Sequence, residues 1–177
     1  MKEKITHEKF QQLFDEIVIR FAEKQTTKIW HQMAMEWNET SVFLNWLADN
    51  PKTDKATALM MYWKSAPRYH KQFNDREDVL KKQSRAVAGF DFVEKIEKNY
   101  LNGFYETQNF EFNPKNDEQG YDWTSEYQDK PKVREIPEMM FEQLIGEQVK
   151  EPENFIEGMP PELYDLQDEL YERYDAV

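Results

Sequence analysis

The chain has 177 residues, no cysteine, five glycines and a formal net charge of −12, with 39% hydrophobic and 15% aromatic residues. That length suits a single domain burying roughly two thirds of its unfolded surface, with Phe, Tyr and Trp supplying much of the core. The composition excludes disulfides, thiolate nucleophiles, iron–sulfur clusters and cysteine zinc sites, and no apolar run approaches the ~20 residues that cross a bilayer.

The opening MKEKITHEKF has neither the apolar stretch nor the small-residue cleavage site of an export signal, so a cytoplasmic protein away from membranes is expected. Phe10, Leu13, Phe14, Ile17, Val18 and Phe21 then follow helical spacing behind a Thr6 cap. Thr26 caps a second helix carrying Ile29, Trp30, Met33 and Trp37. A third runs from about Ser41 to Ala48 through Phe43, Leu44, Trp46 and Leu47, and Asn50-Pro51 stops it, because the residue before proline is pushed out of the helical region.

Asp54 is a good cap for a fourth helix, with Ala56, Leu59, Met60 and Trp63 on its apolar face. Pro67 ends that helix and opens a short one. Asp75, followed by Glu77 and Asp78, begins the longest helical pattern, through Val79, Leu80, Ala86, Val87, Phe90, Val93, Ile96 and Tyr100 to Gly103, with Gly89 as a point of division.

Beyond Gly103 the pattern becomes polar and aromatic by turns, then turn-rich from Asn113 to Gly120, which reads as an extended segment and a surface loop. Pro137 suits the first turn of another helix burying Met140, Phe141, Leu144 and Ile145. After a linker at 151–160, a terminal helix starts at Pro161 with Leu163, Leu166, Leu170 and Tyr174 on one stripe. Glu162, Asp165, Glu169 and Glu172 fall nearly opposite, and Tyr164 and Tyr171 lie on the border.

These elements predict a mainly α fold: one domain over 1–177, a multi-helix bundle or short helical array of about seven to eight helices with an irregular aromatic segment near 104–136. Its acidic helical extension would be 138–177. Charge is divided unevenly, because residues 1–102 hold 17 basic and 15 acidic side chains, and residues 103–177 hold 6 and 20. An acidic C-terminal portion repels phosphate backbones and favours basic partners, so no nucleic acid is expected. The nearest basic patch, Arg68, Lys71, Arg76, Lys81, Lys82 and Arg85, is interrupted by acids and reads as a solvated helix surface.

Trp37-Asn38, Trp46-Leu47, Asn50-Pro51, Asp54, Thr57-Ala58-Leu59 and Tyr62-Trp63, followed by Pro67 and Tyr69, carry a resemblance. The stretch resembles a family of small bacterial proteins known only as a domain of unknown function, with an Asn-Pro-x-x-Asp-x-x-Thr-Ala-Leu-x-x-Tyr-Trp core. Counting Gly103-Phe104-Tyr105, Trp123 and Arg134 to Pro137, it extends over about 37–137. The resemblance implies a helical fold and a bacterial origin, and, from the genes beside which members occur, an immunity-protein role; it implies no catalytic residue. The chain has Trp37-Asn38-Glu39 where the family has an Asn-Trp-Asp type of sequence, so no fixed role passes to the upstream acid.

Catalytic chemistry finds little support. His7, His31 and His70 belong to no metal-binding array, and His31 reads as a hydrogen-bonded, partly buried residue. Ser41, Ser65, Ser84 and Ser125 lack a nucleophile-elbow context, and no Gly-x-Gly occurs for a nucleotide loop. No cofactor is expected. The leading expectation is a non-catalytic immunity protein that neutralises a basic toxin through Glu162, Asp165, Glu169 and Glu172, flanked by Tyr164 and Tyr171. Plain solvation is the bland reading of the same face. The alternatives are an enzyme with a carboxylate and tyrosine site around Asp54, Tyr62 and His70, and a helical scaffold or regulator of another protein.

Overall fold

The computed structural model describes residues 2–37 and 41–176; Asn38 and Glu39 of the motif's upstream part lie outside them. In chain order the elements are β1 (Glu3–Ile5), α1 (His7–Ala22), α2 (Thr27–Glu36), α3 (Val42–Ala48), α4 (Lys55–Lys64), α5 (Pro67–His70), α6 (Arg76–Gln83), α7 (Val87–Leu101), α8 (Pro161–Arg173) and β2 (Tyr174–Ala176). The fold is mainly helical. No helix among the described residues is long and apolar enough to cross a membrane. The chain divides into two compact units, one of Met1–Trp46 with Glu151–Val177 and one of Leu47–Lys150.

In the first unit, Thr6 accepts a hydrogen bond from the Lys9 N–H and Thr26 from that of Ile29, so both expected caps form. Trp30 Nε1 donates to the Ala22 carbonyl at 2.7 Å, joining α2 to the end of α1. Its ring meets Trp46 edge-on at 4.9 Å, and Trp37 packs on Phe43 at 5.0 Å. Leu163 and Leu170 of α8 are buried, as their spacing predicts. Tyr174, expected on the helix stripe, instead begins β2, which pairs in parallel with β1 in the register Glu3 to Tyr174 and Ile5 to Ala176. Two strands of three residues give too short an alternation to be read ahead of their pairing.

The second unit is built around α4, whose residues Ala56 to Trp63 are all buried. A helix apolar all round must be covered on every side. Much of that cover is α7, and α5 and the irregular segment that follows α7 add to it. Asp54 accepts from the Ala56 N–H at 3.0 Å, and its second oxygen accepts from the Asn109 N–H at 2.6 Å and the Thr107 hydroxyl at 3.3 Å. One cap thereby fixes the helix start and the incoming loop together.

The longest helical pattern divides at a 3-10 turn over Ser84–Ala86, ahead of Gly89, which lies inside α7. Gly89 serves packing: a Cβ there would stand 3.0 Å from Nε2 of the buried His70. A second correction concerns the helix expected after Pro137. Only a 3-10 turn forms at Glu138–Phe141, and the chain then runs extended, with Ile145 70% exposed. A continued helix would need the Met140 carbonyl for the Leu144 N–H. Instead Trp63 Nε1 takes that carbonyl at 2.6 Å, and the Leu144 N–H donates to Phe112 at 2.9 Å. Gly146 permits the close approach, since a Cβ would lie 2.4 Å from the Asn109 carbonyl oxygen.

Candidate functional site

The six residues singled out for partner binding all lie on α8. Glu162, Asp165, Glu169 and Glu172 are exposed, and among the described residues none of them is in an ion pair. Ten residues of rise place the four within about 15 Å along the axis. Opposite them, Leu163 and Leu170 anchor the helix in the core. Tyr171 is 51% exposed, yet its ring is held against Phe10 at 4.8 Å, whereas Tyr164 is half-buried. The arrangement is a band of uncompensated carboxylates with one pre-positioned aromatic edge.

Within the same unit Gln167, one turn before Tyr171, lines a cleft of about 400 Å³ with Phe14, Val18, Trp37 and Met159. Gly158 shapes this region. Its φ of +83° and the 2.8 Å that would separate a Cβ from the Met33 carbonyl oxygen both require glycine. Its N–H donates to Glu36 at 3.2 Å.

The alternative trio of Asp54, Tyr62 and His70 does not act as one set. Asp54 is engaged by backbone N–H groups and Thr107, as described above. Tyr62 and His70 flank an ionic cluster of the second unit that is centred on a buried lysine. Lys71, 3% exposed, donates to Glu97 at 2.8 Å and Glu94 at 3.1 Å, and Arg134 donates to the other Glu94 oxygen at 2.7 Å. The Tyr62 hydroxyl closes the chain on Glu97 at 2.5 Å. Lys71, expected on a solvated face, is therefore buried, because two carboxylates one turn apart on α7 satisfy its ammonium.

Electrostatics follow from that burial. The Tyr62 phenol is raised far above its ordinary value by burial first and by Glu97 second, so it stays protonated. The His70 imidazole is lowered to about 4 by burial, against the pull of Glu94. Its Nδ1 is buried with no hydrogen-bond partner among the described residues. Burial alone would raise the Glu94 carboxyl, but Arg134 and Lys71 hold it below its usual range. Two cations face two carboxylates, so the cluster is balanced and its donors are aimed at one another.

Sequence reasoning missed this cluster. Its signals were present in the i, i+3 pair Glu94 and Glu97 and in the basic residues Lys71 and Arg134, yet nothing local joins residues 71, 94 and 134. Among the described residues no three His, Asp or Glu side chains are placed to hold a metal ion.

Residues 25–101 match the family model of a domain of unknown function, DUF4274. The matched stretch takes in α2 to α7 and begins and ends earlier than the 37–137 of the sequence resemblance. No curated protein and no solved structure matches the chain.

Proposed function

We propose that the chain is a non-catalytic protein-binding protein, an immunity protein that neutralises a basic toxin of the bacterium encoding it, in the cytoplasm. One observation carries the reading: α8 presents Glu162, Asp165, Glu169 and Glu172 on a single exposed face with no cation paired to them among the described residues. Uncompensated carboxylates steer a basic partner into encounter and reject acidic ones. Tyr171, exposed but braced by Phe10, is the kind of rigid aromatic that serves as an affinity anchor.

The enzyme reading is less well supported, because Tyr62 is fully buried and Asp54 is engaged in capping α4 and the segment at 107–109. A scaffold or regulator would use the same α8 face with a basic partner that is not a toxin. Co-expression with the product of the neighbouring gene is the test. Restored growth, with a complex recovered from the cells, is the expected result. A toxin that still arrests growth and fails to bind at micromolar concentration contradicts the proposal.

A further inference from the structure

Arg68 of α5, in the second unit, is held in place without being neutralised. Its Nε donates to the Thr124 carbonyl at 2.9 Å, and its guanidinium carbon lies 5.8 Å from the centroid of the Phe141 ring. These contacts restrain the guanidinium while the four N–H donors on Nη1 and Nη2 find no acceptor among the described residues. The chain has 35 carboxylates against 23 basic side chains, yet among the described residues this half-buried arginine has no carboxylate within ion-pair distance. Its planar fork matches the oxygens of a carboxylate or phosphate.

Arg68 also lines a cavity of about 270 Å³, whose walls include Phe141, Tyr127 and the buried Ile136. Tyr127 is held there by an edge-on contact with Tyr69 at 5.6 Å, and its backbone is left-handed with φ +53°. The other charges lining the cavity are largely spoken for: Glu135 pairs with Lys132 at 2.5 Å, and Lys71 and Arg134 are balanced by Glu94 and Glu97. Glu138 and Lys130 remain as one opposed pair of charges at the lining, Lys130 lying 3.7 Å from Asp129. Of the two lining cations left with donors to offer, Lys130 and Arg68, Arg68 is the one held in place by a backbone carbonyl and an aromatic ring.

We propose that this cavity binds a small organic anion, its carboxylate or phosphate oxygens accepting from the Nη groups of Arg68 and its apolar body packing on Phe141 and Tyr127. The volume is just below the roughly 300–1,000 Å³ of typical ligand cavities, which limits the occupant to about one ring in size. This site shares no residue with the α8 face, and either proposal can fail without the other.

The test is a titration of the full chain, followed by amide chemical shifts, with benzoate, phenyl phosphate and the neutral benzamide as probes. Benzoate or phenyl phosphate should bind at least about tenfold more tightly than benzamide, with shifts centred on Arg68, Tyr127 and Phe141. The tighter of the two anions identifies the oxyanion as carboxylate or phosphate. Arg68→Gln should abolish the preference for charge, and Phe141→Leu should weaken binding while keeping that preference. Should Arg68→Gln not fold, the benzoate and benzamide comparison on the natural chain decides alone. Equal binding of benzamide and both anions, no binding at about 10 mM, or shifts away from Arg68 would overturn the proposal.

Discussion

Trp63 Nε1 donates to the carbonyl oxygen of Met140 at 2.6 Å across 77 residues of sequence, and the Phe141 ring packs on the same indole at 5.0 Å. The stretch that matches the family model ends at residue 101, so the acceptor for its most buried tryptophan comes from outside that stretch. Asp54 repeats the pattern by receiving the Asn109 N–H. The segment 102–150 therefore contributes to the second unit's core, through the buried Tyr105, Phe110, Phe112, Ile136, Met140 and Val149.

Trp63→Phe removes that donor, leaves the Met140 carbonyl unsatisfied in the interior and shrinks a fully buried ring. The expected loss is about 2–4 kcal/mol, read from urea denaturation. A change below about 0.5 kcal/mol would mean that the bond contributes little.

Gly146→Ala tests the extended backbone that replaces the expected helix. A methyl group would sit 2.4 Å from the Asn109 carbonyl oxygen and 2.6 Å from the Phe110 carbonyl carbon, both backbone atoms that cannot swing away. A loss of about 2 kcal/mol or more is predicted, with the thermal midpoint lowered. A helix there would instead be stabilised by alanine, so the sign of the change separates the two structures.

Lys71→Met deletes the ammonium that holds Glu94 and Glu97. Breaking a buried pair from one side costs about 3–5 kcal/mol, whereas Lys71→Met with Glu97→Leu should recover part of that loss. Denaturation of the two variants supplies the comparison.

His70 gives the second unit a pH dependence whose sign is fixed. Its folded value is lowered to about 4 from 6.5, so between these limits the unfolded chain takes up a proton that the folded chain refuses. Stability is therefore fully present above about 6.5 and falls as pH drops toward 4, by up to about 3 kcal/mol from this group. Glu94 faces the imidazole and opposes the shift, whereas Arg134 and Lys71 reinforce it. The Glu94 carboxyl, itself lowered, adds a loss of the same direction only below its ordinary value near 4.5. His70→Gln should flatten the stability profile between pH 6.5 and 4, measured by denaturation at several pH values.

What was legible in the sequence had local causes. Thr6, Thr26 and Asp54 are seen as caps because a cap acts within three residues, and all three accept the N–H bonds expected of them. The α8 face was legible because helical period alone separates Leu163 and Leu170 from Glu162, Asp165, Glu169 and Glu172. Failures came where distant groups decide. The region after Pro137 has helical spacing, but Trp63 claims the Met140 carbonyl and Phe112 pairs with Leu144. Lys71 looks like any surface lysine until α7 brings Glu94 and Glu97 to it, and Arg68 shows its missing partner only in three dimensions.

The central claim, that the α8 carboxylates receive a basic partner, is tested most directly by association kinetics with the neighbouring gene's product at low and high salt. Changing Glu162, Asp165, Glu169 and Glu172 to Lys should slow association by roughly tenfold or more at low ionic strength, with the difference shrinking as salt approaches about 1 M. Equal association rates for the natural chain and the variant at low salt would contradict it.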